Sequence, residues 1–204
     1  MNRKTMIYLQ LASLFGLSAI LFFALHTFST TSDAPNRALG WLLLDYSTLN
    51  TLDQSAGLLI LSSLSSLLFA IFFSRYVYLE KTEALAEASF IFIALKLFSF
   101  LAVLLYTFNQ NSLFFFILNG LVVTLAIFSF FFFALVFKEL KLSPFFCWVS
   151  LICFGYNFFA FLFLAFAPTI QTTIIQDVSN CFDFLFVICL AFLMWQYQRN
   201  KSYK

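Results

Sequence analysis

EKTEALAEASFIFIALKLFSFLAVLLY, residues 80–106, decides how this chain is read. The stretch opens on a water-loving turn with Glu80, Lys81, Glu83 and Glu87, then runs into about twenty mostly apolar residues, the length of a membrane-crossing helix. One lysine, Lys96, interrupts that run near its middle. A charge near the bilayer centre costs at least ~2.5–3.5 kcal/mol, so it calls for a partner or a purpose.

The rest of the chain follows the same grammar. Of its 204 residues, 63% are apolar and 10% charged, and the mean hydropathy is +0.97. A soluble domain carries roughly 25% charged residues, so the composition points to lipid as the solvent. Phenylalanine reaches 33 residues, and its bulk suits surfaces that face acyl chains. The net charge of +2 has no dense basic cluster behind it, which argues against nucleic acid as a partner.

Six spans fit the apolar runs: 7–28, 57–77, 84–106, 113–137, 144–167 and 178–197. Each covers a hydrocarbon core of roughly 30 Å at about 1.5 Å per residue. Helices are required, because lipid satisfies no backbone hydrogen bond and strand-like alternation is absent. Arg3 and Lys4 before the first run resemble a secretory signal, but the apolar run is too long, and an uncleaved first span is the preferred reading. No linker or repeat divides residues 1–204, so the expectation is one all-α domain, a polytopic membrane bundle of six transmembrane helices.

Basic residues set the expected orientation. Arg3, Lys4, Arg75, Lys81, Lys138, Lys141, Arg199, Lys201 and Lys204 fall on one side, and Arg37 on the other. Positive loops stay inside, which places the N-terminus and C-terminus in the cytoplasm. Tyr8, Tyr76, Tyr78, Trp148, Trp195 and Tyr197 are expected at the inner interface, and Trp41, Tyr46 and Tyr106 at the outer one. The outer loop ALGWLLLDYSTLNTL, residues 38–52, fits either a short helix lying on the surface or an extension of the second span.

Polar residues inside the spans mark candidate chemistry. Asp183, in NCFDFLF, is the candidate partner of Lys96; the vertical gap of about 8 Å lies within reach of a long lysine stem and helix tilt. Gln176, Asn180 and Asp183 form one stripe at helical spacing. Asn119, Asn157, the serines Ser62, Ser63, Ser65 and Ser66, and His26 occupy the same outer half. Two readings stand: a polar cavity floored by Lys96, with Asp183, Asn180, Asn157 and Asn119 around a ligand, or interhelical hydrogen bonds that hold the bundle. Ala12 and Gly16, four apart in the first span, permit close helix approach. Glu80, Glu83 and Glu87 make an acidic stripe that suits a solvated helix start.

Motifs for soluble or membrane catalysis are missing. There is no HExxH, no GxSxG and no glycine-rich phosphate loop, so no enzyme activity is expected. Cys147, Cys153, Cys181 and Cys189 show no metal-type spacing beside the single histidine, and neither metal nor cofactor is expected.

Two segments carry a family resemblance: YVYLEKTEALAEASFIFIALKLF, residues 76–98, and FFFFALVFKELKLSPFFCWVSLICFG, residues 130–155. A span ending in an aromatic and a leucine, an EALA-type start at residues 83–86, and Pro144 with Trp148 opening the fifth span resemble the bacterial six-span membrane proteins catalogued as domain of unknown function 4386. The likeness covers about residues 58–195. It implies six spans and a bacterial cytoplasmic membrane, and it implies no activity. Family members often carry an arginine and an acidic residue inside the third span, where Ile93 and Lys96 stand here. The expected role is binding or transport of a small or lipid-like molecule, with membrane lipids as surroundings. The alternative is a non-catalytic accessory or scaffold subunit that binds a protein partner.

Overall fold

Each apolar run must close its own backbone ladder, and the described residues of each do so as a helix. The computed structural model describes residues 3–29, 56–80, 83–108, 113–141, 143–166, 182, 185–196 and 199. Five long helices result: α1 (Arg3–Ser29), α2 (Ala56–Leu79), α3 (Glu83–Phe108), α4 (Leu113–Glu139) and α5 (Pro144–Phe166). All five are long and apolar enough to cross a membrane. A shorter apolar helix, α6 (Leu185–Gln196), follows. The five long helices begin and end within a few residues of the expected spans. Apart from Phe182, the remainder of the expected sixth span, 178–197, and the outer loop 38–52 lie outside the described residues.

Short connections fix the alternation of α2 to α5. The Glu80 amide donates to the Tyr76 and Val77 carbonyls and closes α2. Glu83 then sits in the first turn of α3, and Lys138 in the last turn of α4, each beside the helix end of opposite charge. Lys141 leaves α4 with φ 49°, a left-handed residue that stops the helix. Pro144 opens α5, where its missing N–H breaks no bond. These turns gather at one end of the bundle, together with the start of α1 and the end of α6; we call it the N-terminal rim.

Consecutive helices pack on one another from α1 through α5. The seam between α1 and α2 is made of small residues. Thr5, Ala12 and Ala19 are buried, and a methyl added at Gly16 would lie 3.1 Å from the Phe69 ring. The Ser62 hydroxyl donates to the Ala19 carbonyl at 2.8 Å, tying the two helices. The other face of α1 turns Leu14, Leu17 and Leu21 outward, as expected of a helix against lipid.

The core is an aromatic hub, and α6 carries its centre. Phe186 of α6 meets Phe130 and Phe133 of α4 with ring centroids 4.8 and 5.0 Å away, and Phe92 of α3 at 5.6 Å. Phe92 also meets Phe69 of α2 edge-on at 6.5 Å. Phe146 of α5 packs on Phe192 of α6, and Val187 of α6 lies beside Gly16 of α1. The shortest described helix therefore touches α1, α3, α4 and α5. Edge-to-face pairs of this kind are each worth about 0.5–1.5 kcal/mol beyond burial. Lipid is as apolar as phenylalanine, so such packing, rather than escape from water, holds the helices together.

The aromatic belt is only partly as expected. Tyr78, Trp148 and Trp195 are exposed near the rim, where their amphipathic rings suit the headgroup level. Tyr76 is buried at 5% exposure and belongs to the core. It lines a recess together with Leu193 and Met194 of α6, which removes it from the belt.

Candidate functional site

Polar side chains avoid lipid, so those within the helices report which faces point inward. Ser89, Lys96 and Asn157 are all buried, with exposures of 0, 4 and 2%. Lys96 stands thirteen residues into α3, about 20 Å from the rim and close to the middle of the bundle. Its ammonium lies over the Phe92 ring, 5.2 Å from the centroid. Lys96 and Phe92 are one turn apart, so the hub supplies the floor beneath the charge. A cation on a desolvated aromatic face gains about 2 kcal/mol, which offsets part of the cost of burying it.

The hub also sets which residues of the neighbouring helices share the level of Lys96. Phe92 meets Phe69 on α2 and Phe133 on α4. One turn away from the rim, the corresponding positions are Ser66 on α2, Lys96 on α3 and Ser129 on α4. The hydrogen bond between Ser89 and Ser74, 2.9 Å, fixes the same α2–α3 register one turn nearer the rim. Ser66 and Ser129 are both buried, with exposures of 3 and 0%, and neither hydroxyl has a hydrogen-bond partner among the described residues. The sequence groups Ser66 with the other serines of its span and gives no sign of Ser129. A single serine in an apolar run carries no signal until the register shows what stands opposite it.

The other candidate residues are distributed differently. Asn157 donates to the Cys153 carbonyl on its own helix at 2.9 Å. It shares the level of Lys96 on α5, but α3 and α5 are each packed on α4 and make no extensive contact with one another. Asn119 lies in the second turn of α4, and only its backbone is described. Asp183 and Asn180 lie outside the described residues. Ser62 serves the α1–α2 seam, and Ser63 bonds the Ile60 carbonyl of its own helix. Ser62 and the Ser74–Ser89 pair match the reading in which polar residues hold helices together. The Cys153 thiol donates to the Phe182 carbonyl at 3.6 Å, joining α5 to the approach of α6.

Near the rim, Phe73, Tyr76, Glu80, Leu85 and Met194 help line a recess of about 20 Å³. That is room for one water and too little for an organic ligand. It lies at the opposite end from the expected outer-half cavity, whose walls include the undescribed Asn180 and Asp183. Glu83 and Glu87 are exposed at the start of α3, as suits a solvated helix end.

No family model matches the chain, and neither a curated protein nor a solved structure is similar to it. The helices themselves carry the general conclusion: this is a multi-helix protein of the membrane-spanning type.

Proposed function

We propose that this protein holds a small or lipid-like molecule with an anionic group against Lys96, in the half of the bundle beyond the aromatic hub, and that it does so without catalysis. The observation that carries this reading is the burial of Lys96 at 4% exposure, mid-helix, over Phe92. A charge placed at that depth is costly, and charges so placed commonly mark ion or ligand paths. Asp183, Asn180, Asn157 and Asn119 are the proposed further contacts, on the basis of their level in the spans. The proposed setting is a bacterial cytoplasmic membrane with six spans and both termini inside, following the basic residues and the resemblance to the domain-of-unknown-function 4386 proteins.

Untargeted mass spectrometry of molecules that co-purify with the detergent-solubilised protein tests this. The expected result is a species enriched on wild type and lost from Lys96→Met, with Lys96→Met still folded by thermal unfolding. Asp183→Asn run beside it tests whether that carboxylate belongs to the same site.

The second reading, an accessory subunit whose polar residues only grip helices or a protein partner, is favoured by the Ser62–Ala19 and Ser74–Ser89 bonds. It expects no enriched species, early melting of Lys96→Met, and rescue when Lys96 and Asp183 are exchanged.

A further inference from the structure

We infer that the outward face of α5 and α6 at the N-terminal rim binds the headgroup of an anionic phospholipid, through Arg199 and the lysines of the α4–α5 turn. The inference stands apart from Lys96, which lies about 20 Å from that rim. A ladder of rings joins the two helices. Phe145 of α5 meets Phe192 of α6 edge-on at 6.4 Å, and Phe192 stacks on Trp195 at 5.6 Å. The Arg199 guanidinium lies over the Trp195 ring, 5.7 Å from its centroid. Phe145, Phe192, Trp195 and the nearby Trp148 of α5 are all exposed, so this ladder lies on the surface of the bundle and ends in a cation.

Charge chooses the occupant. Lys138 and Lys141 are exposed in the turn that precedes Pro144, where the Lys141 amide donates to the Lys138 carbonyl at 3.1 Å. Glu139 is the acidic residue of that turn, and the described residues of α5 and α6 include none. An anionic phosphodiester therefore meets cations from the turn and from the end of α6. The ammonium of a zwitterionic lipid meets no carboxylate on the described residues of either helix. Arg199 brings a planar fork with five donors, more than one partner uses, and that fork matches two phosphate oxygens. The exposed rings supply an apolar bed for the start of the acyl chains, with the tryptophans at the headgroup boundary. Basic residues beside a membrane attract anionic lipid in general. Here stacking on Trp195 holds one of them against an apolar surface, which turns a diffuse attraction into a site.

Native mass spectrometry of the full-length protein in a neutral detergent tests this, with phosphatidylglycerol and phosphatidylcholine of the same acyl chains titrated in competition. The proteins compared are wild type, Arg199→Gln, the double variant Lys138→Gln with Lys141→Gln, and Arg75→Gln. Arg75 is exposed near the end of α2 and supplies a rim cation outside the ladder. Wild type should retain phosphatidylglycerol at least about ten-fold more tightly than phosphatidylcholine. Arg199→Gln should weaken that retention about five-fold, the usual worth of one basic residue at an anionic surface. The lysine variant should weaken it further, and Arg75→Gln should leave it unchanged. Thermal unfolding of each protein checks the fold, and the lysine variant decides the matter if Arg199→Gln melts early. Equal retention of the two lipids overturns the inference. So does selectivity that survives in both Arg199→Gln and the lysine variant, or that falls equally in Arg75→Gln, because the attraction would then belong to the whole rim. In membranes, more disulfide-linked dimer from Trp148→Cys than from wild type assigns the face to a second copy of the chain and likewise overturns the lipid. None of these outcomes touches the reading of Lys96, so the two fail separately.

Discussion

Phe186→Ala should be among the most damaging single substitutions in this bundle. The ring sits between Phe130, Phe133 and Phe92, with centroids 4.8, 5.0 and 5.6 Å away, and is fully buried. At about 0.5–1.5 kcal/mol for each aromatic pair, loss of the ring removes roughly 1.5–4.5 kcal/mol of packing. The usual transfer term largely cancels here, because a ring released from the core moves into lipid or detergent rather than water. The vacated volume remains a cost, because neighbours collapse only in part. The expected destabilisation is therefore about 3 kcal/mol, and Phe186→Leu should lose about half of that. Phe159 supplies the control. It is 64% exposed on α5, and its ring contact is with the adjacent Phe158 of the same helix. Phe159→Ala should change stability by less than about 0.5 kcal/mol. Equilibrium unfolding in mixed micelles, titrated with dodecyl sulfate, measures all three. The hub reasoning is refuted if Phe186→Ala and Phe159→Ala fall within about 0.5 kcal/mol of each other.

Three further outcomes can be checked in the same assay. Gly16→Leu should cost about 1–3 kcal/mol, since even a methyl there meets the Phe69 ring at 3.1 Å. Ser62→Ala should cost about 0.6 kcal/mol by loss of the bond to the Ala19 carbonyl; Ser63→Ala, whose hydroxyl bonds within its own helix, should cost less. Lys141→Gly should stabilise by about 1 kcal/mol, because φ 49° strains a side-chain-bearing residue and not glycine.

The long helices were legible because their signal is length. Apolar runs broken by Glu80 to Glu83, and by Lys141 to Pro144, leave the ends of a span little freedom. The inward faces were legible only where a polar residue reported them, as Ser89, Lys96 and Asn157 did. The hub was not. Lipid and core are equally apolar, so nothing in the sequence separates Phe186, at 0% exposure, from Phe159. The same blindness put Tyr76 at the headgroup level, although it is buried in the core. For the site, sequence singled out Lys96 by the cost of its charge. The Phe92 floor, and the placing of Ser66 and Ser129 on the same level, needed the helix register, which is set by ring contacts between residues far apart in the chain.

Amine acylation read by peptide mass spectrometry tests most directly whether Lys96 is an interior cation. The folded protein is treated in detergent with a water-soluble amine-reactive ester and, separately, with a lipid-soluble one. Lys138 and Lys141, both exposed near the rim, serve as internal references. Both references should label in the folded state, while Lys96 resists both reagents until the bundle is unfolded. Labelling of Lys96 in the folded protein by the lipid-soluble ester would place it on the lipid-facing surface. Labelling by the water-soluble ester at the rate of Lys138 would place it in open water, and either result contradicts a buried site above the aromatic hub.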